Sequence, residues 1–323
     1  MHTKPNDPST YANAVTGVNG YYALAKAQSA NTLVGVVVDA DNATNGWDNI
    51  VLANAKGSYD FVEYHDYPET PGAESDTVLI HQDAQVWTAN INIIKSELAK
   101  WGTANTPIFV GEIGGPYSNP GKQSWSITQG LYAGQVLGEM MNDGVSRLTW
   151  WDGFGNCDGQ NGNDSSSLYG WQNFGAYNVF SDGNQDPTCD YGGIAETTVG
   201  TMSPTAQAFN LFQNVAVNGE HVLTPTVSGD TTDVRAYSAT HSGGTALVLF
   251  NLNETNSEIV TITVNGESNS PGVTEITYDK AIYDQTNNTT PVWALPTTTP
   301  MGSQSLPLTL TLAPWSMNVV IIQ

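Results

Sequence analysis

The order of helix-like and strand-like segments is the feature that most constrains the fold of this chain. Over the first two-thirds, patterns of helical spacing alternate with short β-branched or aromatic runs. The predicted strands are residues 33–38, 59–65, 107–112 and 146–151, and the predicted helices are residues 8–29, 47–55, 76–101, 124–143 and 205–215. This alternation predicts parallel strands joined by right-handed helical crossovers.

About four βα units in series are half of a (β/α)8 barrel, which is complete at about 250 residues. A flavodoxin-like open sheet is the alternative for such a series. It is disfavoured because no glycine-rich phosphate loop follows any of the predicted strands. We therefore predict a partial (β/α)8 barrel in this part of the chain.

Beyond residue 217 the pattern changes to short alternating strands without a helical window. These predicted strands are residues 233–238, 245–252, 259–264, 273–283 and 306–322. Their punctuation by Thr, Asn, Gly and Pro is typical of an antiparallel β-sandwich. The predicted fold class is thus α/β followed by all-β, with a barrel region at residues 1–217 and a sandwich domain at residues 218–323.

The charge balance restricts the partners of the protein. Nine Lys and Arg stand against 31 Asp and Glu, a formal net charge of -22. Such a surface repels phosphate backbones and anionic membranes, so we expect neither nucleic acid nor membrane as a partner. Aromatic residues make up 10% of the chain, which suits stacking against neutral sugar rings.

The two cysteines, Cys157 and Cys189, lie in one stretch rich in Gly, Asn and Asp. Neither forms a C-x-x-C pair and no His cluster accompanies them, so we predict a disulfide and no metal or cofactor. Residues 152–164 carry many oxygen ligands, but their spacing fits no defined calcium loop. A disulfide indicates export. We expect a secreted protein, although the polar first residues are not a signal peptide.

The carboxyl ends of parallel strands are where α/β folds place their chemistry. Acidic, aromatic and imidazole side chains collect at the predicted ends: Asp39, Asp41, His65, Asp66, Tyr67, Glu112, Trp150, Trp151 and Asp152. No serine lies at a strand-to-helix elbow, which argues against a serine esterase.

Glu112 is the sharpest catalytic candidate. It closes the apolar run PIFVGEIGG, and a charged residue at the end of a buried strand is costly unless the site uses it. The alternative is a structural carboxylate paired with Arg147 or with a tyrosine.

Glu63, His65 and Tyr67 share one face of their predicted strand. We predict that His65 and Tyr67 bind substrate and hold Glu112, and that Glu63 is a candidate acid. Trp150, Trp151 and Asp152 are predicted substrate-binding residues, with one of the two indoles facing the site.

The segments DFVEYHDYP, PIFVGEIGG, RLTWWDGFG and SPTAQAFNLF, in this order before a small sandwich, resemble the clan A retaining glycoside hydrolases. The resemblance is greatest to α-L-arabinofuranosidase, β-xylosidase and endoglucanase barrels. It implies that the four strands are strands five to eight, that Glu112 is the nucleophile and that His65 and Tyr67 are the polar pair after strand six. Trp150 and Trp151 correspond to the sugar platform after strand eight.

The chain departs from this family at the acid/base residue. The family carries it in an Asn-Glu pair just before a YA-containing helix, which HTKPNDPSTYANAV resembles, yet Asn253-Glu254 in the sandwich is the only such pair. We therefore expect the first half of the barrel, with its acid/base, to be absent from this sequence.

Two functions follow as hypotheses. The first is a retaining glycoside hydrolase that acts on β-glucan, xylan or arabinofuranosides. The second is a non-catalytic carbohydrate-binding fragment. Half a barrel exposes sheet edges and an apolar face, so we also expect homo-oligomers that form through that half-barrel.

Overall fold

The computed structural model describes residues 7–41, 43–157, 163–184, 186–187, 189, 197–266, 270–285 and 293–323. These form two compact units. Unit 1 consists of Met1–Asp66, Val86–Ile113 and Asp143–Trp150, and unit 2 consists of Tyr67–Gln85, Gly114–Asn142 and Trp151–Gln323.

The strands lie close to the predicted positions. In chain order they are β1 (Gly35–Val37), β2 (Phe61–Asp66), β3 (Ile108–Ile113), β4 (Arg147–Leu148), β5 (Phe154–Gly155), β6 (Phe180–Ser181), β7 (Val222–Leu223), β8 (Val234–His241), β9 (Gly244–Asn251), β10 (Glu258–Ile262), β11 (Gly272–Asp279), β12 (Thr297–Ser303), β13 (Leu308–Leu312) and β14 (Ser316–Ile322).

The helices also follow the predicted order. They are α1 (Pro8–Thr16), α2 (Tyr21–Gln28), α3 (Trp47–Asn54), α4 (Asp76–Val78), α5 (Ala84–Lys100), α6 (Ile127–Asp143), α7 (Pro204–Phe212) and α8 (Lys280–Asp284), with a π-helical turn at Leu79–Asp83 and a 3-10 turn at Lys122–Trp125. No helix within the described ranges is both long enough and apolar enough to cross a lipid bilayer.

Unit 1 is built on a four-stranded sheet with the spatial order β1-β2-β3-β4, in which every neighbouring pair is parallel. The strands thus follow one another without the reversal of order that defines a doubly wound sheet. This sequential order excludes the flavodoxin-like alternative and confirms the predicted succession of βα units.

Helix α5 covers one face of this sheet. Its buried stripe is Trp87, Ile91, Ile94 and Leu98, and the Trp87 ring lies 6.0 Å from the ring of Tyr64 in β2. The helical pattern of residues 76–101 also predicts that Val86 faces inward. This prediction is wrong, because Val86 is exposed.

The predicted helix at residues 8–29 is two helices. Asp7 caps α1 by accepting hydrogen bonds from the backbone of Ser9 and Thr10, and a turn in which the Gly20 N–H donates to the Gly17 carbonyl separates α1 from α2. A side chain at Gly20 would place its Cβ 2.5 Å from the Val15 carbonyl oxygen, so this tight turn needs glycine.

Unit 2 contains a six-stranded sheet in the order β12-β11-β14-β9-β8-β7 and a two-stranded sheet of β10 and β13. Apolar side chains from both sheets form one core, which includes Leu249, Val320 and Ile322 from the larger sheet and Leu310 and Leu312 from the smaller one. This arrangement confirms the predicted antiparallel sandwich.

Two details of the sandwich differ from the prediction. Residues 280–283 form helix α8 instead of continuing a strand, because the Asp279 side chain caps a helix by accepting from the Ile282 N–H. Residues 306–322 form two strands, β13 and β14, instead of one. The statement that no helix follows residue 217 was therefore wrong.

The predicted domain boundary between residues 217 and 218 stays a prediction. The change from helices to an antiparallel sheet does follow α7, which Ser203 caps by accepting from the Ala206 N–H. However, α6 and α7 belong to the same compact unit as the sandwich strands.

Candidate active site

A β-bulge in β3 sets the direction of the Glu112 side chain. Tyr64 of β2 pairs with Val110, whereas the next residue, His65, pairs with Glu112, so Gly111 is an extra residue without a counterpart. Such a bulge shifts every later side chain of its strand to the opposite face. Glu112 therefore lies on the same face as Phe109, and Ile113 is buried on the other face.

The same face of β2 carries Glu63 and His65, because Val62, Tyr64 and Asp66 alternate with them and are buried. Without the bulge, regular alternation would direct Glu112 toward the buried face. The bulge thus brings together three of the predicted site residues: Glu63, His65 and Glu112.

The imidazole of His65 lies between two carboxylates. Its Nδ1 atom is 3.5 Å from Oε2 of Glu112 and its Nε2 atom is 3.2 Å from Oε1 of Glu63. All three side chains are about one-third exposed, at 28% for Glu112 and 36% for the other two. Glu112 is therefore an accessible carboxylate whose position is held by a histidine.

Gly111 is needed for this arrangement as well as for the bulge. A Cβ atom at this position would lie 1.9 Å from Oε1 of Glu63 and 2.9 Å from Nε2 of His65. The absence of a side chain at Gly111 is what lets Glu63 and His65 meet. Gly111 is not among the predicted site residues, although a glycine inside a strand pattern is a signal for a bulge.

Below this polar layer lies an aromatic one. The rings of Phe61 and Phe109 stack with centroids 4.2 Å apart, and the Arg147 guanidinium lies 5.0 Å from the centroid of the Phe109 ring. Gly35 leaves room for this stack, since a Cβ there would lie 2.3 Å from the Phe61 ring. Arg147 thus has a cation–π contact with Phe109.

The loop after β1 is pinned by a buried carboxylate. Asp48 accepts hydrogen bonds from the backbone N–H groups of Asp39 and Asp41, and Asp41 in turn accepts from those of Ala43 and Trp47. Both aspartates at this predicted strand end therefore belong to a structured turn. Burial raises the pKa of Asp48.

Glu97 is a second buried carboxylate in unit 1. Asn49 donates to its Oε1 atom at 2.9 Å. Burial and hydrogen bonding to Asp48 raise the pKa of Glu97 to about 8, so this pair retains a proton near neutral pH. The pair is not among the predicted residues, because its partners are separated in sequence by one strand and most of a helix.

The remaining predicted sugar-binding residues are divided between the two units. Trp150 is half-buried in unit 1, beyond the end of β4 at Leu148, so the predicted strand is shorter than expected. Tyr67, Trp151 and Asp152 belong to unit 2. There Tyr67 packs close to Gly114, and the Asp152 N–H donates to the Tyr177 carbonyl at 3.1 Å.

The predicted disulfide between Cys157 and Cys189 is present in unit 2, with Cα atoms 6.5 Å apart. It packs against Phe174 in a small buried cluster. Residues 158–162 of the segment considered for calcium lie outside the described residues.

Unit 2 also holds a buried carboxyl group, Glu69, which is not among the predicted site residues. Its Oε1 atom accepts from the Ser75 N–H at 2.9 Å, and its own N–H donates to the Gly115 carbonyl just beyond the ends of β2 and β3. Burial raises the pKa of Glu69 to about 8. It is therefore largely protonated at neutral pH.

Asp230, Asp233 and Glu258 are the one set of three acidic or metal-ligating side chains in the described part of the chain whose atoms come within 4.8 Å of one another. Asp230 already accepts from the backbone of Thr232 and Asp233, and Asp233 accepts from Asn253. These contacts account for the turn, and we assign no metal to it.

Comparison with known proteins gave matches only among solved structures: no protein-family model and no curated sequence matches the chain. An α-L-arabinofuranosidase from Thermotoga maritima in complex with arabinose aligns with a TM-score of 0.67 at 14% identity, over 98% of this chain and 62% of that chain. The GH51 arabinofuranosidase from Xanthomonas axonopodis pv. citri aligns with a TM-score of 0.57 at 15% identity, over 99% of this chain and 73% of that chain.

A glycoside hydrolase family 44 endoglucanase from Clostridium acetobutylium aligns with a TM-score of 0.54 at 15% identity, over 86% of this chain and 51% of that chain. The chain thus spans about 62% of the length of the first arabinofuranosidases that it matches. These are the classes of glycoside hydrolase that the sequence resembles. Over the part that it spans, the chain has the fold of the GH51 arabinofuranosidases and the GH44 endoglucanases.

Proposed function

We propose that this chain is the nucleophile-bearing part of a retaining glycoside hydrolase that acts on plant-type polysaccharides, with Glu112 as the nucleophile. The observation that carries the proposal is the bulge at Gly111, which turns Glu112 onto the accessible face of the sheet and pairs it with His65. The fold that the chain shares with glycoside hydrolases supports the assignment.

In a retaining mechanism the Glu112 carboxylate attacks the anomeric carbon and displaces the leaving-group oxygen, which takes a proton from a second carboxyl group. Water then attacks the glycosyl-enzyme, gives its proton to that second group and releases Glu112. His65, which touches Glu112, holds the attacking oxygen in position, and Tyr67, Trp150, Trp151 and Asp152 are the proposed sugar contacts.

The second carboxyl group is the open part of the proposal. Retaining enzymes hold their two carboxyl groups about 5–5.5 Å apart with the sugar between them. Glu63 lies on the opposite nitrogen of the His65 ring from Glu112, so its contact suits a residue that orients the imidazole. We propose that the proton donor belongs to a part of the barrel that precedes β1.

That part of the barrel would complete a closed sheet. We propose that β1 to β4 are strands five to eight of a (β/α)8 barrel, in line with their sequential parallel order and with the 62% coverage of the arabinofuranosidase. Phe61, Glu63 and Phe109 are incompletely buried on one sheet face. We expect this face to drive homo-oligomer formation, and a strictly monomeric chain at micromolar concentration in light scattering would contradict this.

We further propose that the protein is secreted. Disulfides persist in oxidising compartments and are rare in the cytosol, so the Cys157–Cys189 bond favours export. An acidic surface that repels anionic polymers is compatible with a neutral polysaccharide as substrate.

The test uses dinitrophenyl α-L-arabinofuranosides and dinitrophenyl β-glycosides, whose leaving group departs without a proton and so does not need the proton donor. Hydrolysis is measured for the wild type, for Glu112→Gln and for Glu254→Gln as a control at an exposed sandwich residue. We expect Glu112→Gln to lose about 10³-fold or more in kcat, because the nucleophile is gone. Glu112→Ala with added azide should regain turnover, because azide enters the space of the lost carboxylate. An active Glu112→Gln protein would overturn the assignment.

A non-catalytic carbohydrate-binding role is the second candidate, and the exposed Trp151 ring favours it. It predicts no hydrolysis by the wild type, with equal sugar binding by the wild type and Glu112→Gln. The same panel therefore separates the two functions.

A further inference from the structure

Two phenylalanines in unit 2 are exposed although their backbone is firmly held. Phe154 of β5 is 58% exposed and Phe180 of β6 is 38% exposed. The two residues are directly paired in a parallel ladder, and neighbouring strands lie about 4.8 Å apart. Their side chains therefore emerge beside each other on one face of this short sheet.

The backbone below the two rings is fixed from both sides. The N–H of Phe180 donates to the Gly153 carbonyl and that of Asp182 to the Gly155 carbonyl, while Ser181 exchanges hydrogen bonds with Gly200 and Thr201 on its other side. An exposed apolar pair on a rigid support is not a fraying loop.

Two buried polar side chains reinforce this support. The Asn178 side chain, 2% exposed, donates to the Phe180 carbonyl at 2.8 Å. The Ser181 hydroxyl, fully buried, donates to the Thr197 carbonyl and accepts from the Gly183 N–H. Buried hydrogen bonds thus hold two rings in contact with water. Burial of these rings would lower the free energy. An exposed aromatic pair on such a fixed support is a candidate ligand-binding surface.

The position of the pair indicates what the ligand is. The same ladder begins beside Trp151, another exposed aromatic side chain, since the Asp152 carbonyl accepts from the Val179 N–H. Asp182 lies two residues after Phe180 and is partly exposed, so its carboxylate can accept hydrogen bonds from hydroxyl groups and repel uronate groups. Flat apolar rings bordered by hydrogen-bond acceptors fit a neutral sugar chain.

We propose that Phe154 and Phe180 form an aromatic platform that binds a further sugar unit of a neutral polysaccharide. This inference rests on the proposed function and deepens it, because it makes a polymer the substrate in place of a small glycoside. The platform increases the affinity of the protein for the polysaccharide and takes no part in bond cleavage.

The experiment is affinity electrophoresis in gels that contain soluble arabinoxylan, mixed-linkage β-glucan or polygalacturonate. The protein is the full chain with Glu112→Gln, so that binding is measured whether or not the chain hydrolyses sugars. Into it we introduce Phe154→Ala with Phe180→Ala, the conservative pair Phe154→Tyr with Phe180→Tyr, and the control Ile259→Ala, which removes an exposed apolar side chain of the sandwich.

We expect the alanine pair to weaken binding to at least one neutral polysaccharide about 10-fold, with an unchanged melting temperature. The tyrosine pair and Ile259→Ala should remain within about twofold of the parent, and polygalacturonate should retard none of the proteins. A parent that binds no neutral polysaccharide, or an alanine pair that binds like its parent, overturns the platform. So does a parent dimer that the alanine pair converts to a monomer in light scattering, because the face is then an interface between copies.

Because the parent already lacks the nucleophile, failure of the platform and failure of the hydrolase proposal give different results. If the wild type is inactive but polysaccharide still retards the protein through Phe154 and Phe180, the hydrolase proposal is wrong and the platform proposal is supported.

Discussion

Oε2 of Glu112 lies 3.5 Å from Nδ1 of His65, and the two residues are register partners on adjacent parallel strands. Their pairing depends on one unpaired residue, Gly111, which moves Glu112 to the face of the sheet that carries His65. A backbone irregularity, and not the alternation of the strands, thus assembles the candidate site.

Gly111→Ala is therefore expected to damage the site while leaving its polar side chains intact. The new Cβ would lie 1.9 Å from Oε1 of Glu63, so Glu63 and His65 must move. We expect kcat/KM to fall at least about 10-fold, because the site groups are displaced. The free energy of unfolding should change little, because the displaced Glu63 carboxylate is the end of a partly exposed side chain. Gly272→Ala is the control, because its nearest atom would be 3.6 Å away. Equal activity of the two variants would contradict the role of the bulge.

The Asp48–Glu97 pair makes the stability of unit 1 depend on pH. The pKa of Glu97 is raised by burial to about 8, while a glutamic acid in the unfolded chain titrates near about 4.3. Between these values the folded state holds more protons than the unfolded state, so the free energy of unfolding falls as pH rises.

Glu97→Gln should flatten this dependence, because an amide keeps its hydrogens at every pH. Thermal unfolding at pH 5 and pH 8 measures this dependence. The melting temperature of the variant relative to that of the wild type should be higher at pH 8 than at pH 5. Glu254→Gln, at an exposed loop residue, is the matched control. If the melting temperatures of the wild type and Glu97→Gln change by the same amount between pH 5 and pH 8, the prediction is wrong.

The Cys157–Cys189 bond is expected to stabilise unit 2. Its cysteines are 32 residues apart, and closing a loop of that size restricts the unfolded chain by about 3–4 kcal/mol. Cys157→Ser with Cys189→Ser should therefore lower the melting temperature, as should reduction of the wild type. If the reductant lowers the melting temperature of the double-serine protein as much as that of the wild type, the loss of stability does not come from this bond.

Asn251 joins the two sheets of the sandwich. Its buried side chain donates to the carbonyls of Leu312 and Ala313, at the end of β13, and to that of Asn256. Asn251→Ala leaves buried acceptors without a donor, so we expect a loss of about 2–3 kcal/mol in the free energy of unfolding. Chemical denaturation measures it. Asn256→Ala should cost little, because the bond from Asn251 uses the Asn256 backbone carbonyl, which alanine retains.

Much of the fold follows from periodicity. The four runs that became β1 to β4 are rich in β-branched and aromatic residues, and the helices between them have apolar stripes, so their order predicted a parallel sheet. The position of Glu112 at a strand end predicted its candidacy in the same way. Capping by Ser203 was also readable, because its physical cause is local.

The errors arose where local signals competed. Gly17 and Gly20 divide the helix predicted over residues 8–29, because glycine adopts the tight turn there at little cost. Asp279 starts a helix within a segment that has the alternating pattern of a strand. These are choices between local conformations of similar free energy, and packing decides them.

The sequence by itself determined the succession of βα units, the sandwich, the disulfide pairing of its two cysteines and the residue types available for chemistry. Only the tertiary structure decided that Glu63, His65 and Glu112 share one face, that burial raises the pKa of Glu97, and that Phe154 and Phe180 emerge side by side. The physical reason is that periodicity depends on neighbours along the chain. Strand register, bulges and burial of charge depend on residues far apart in sequence, whose meeting only the folded chain establishes.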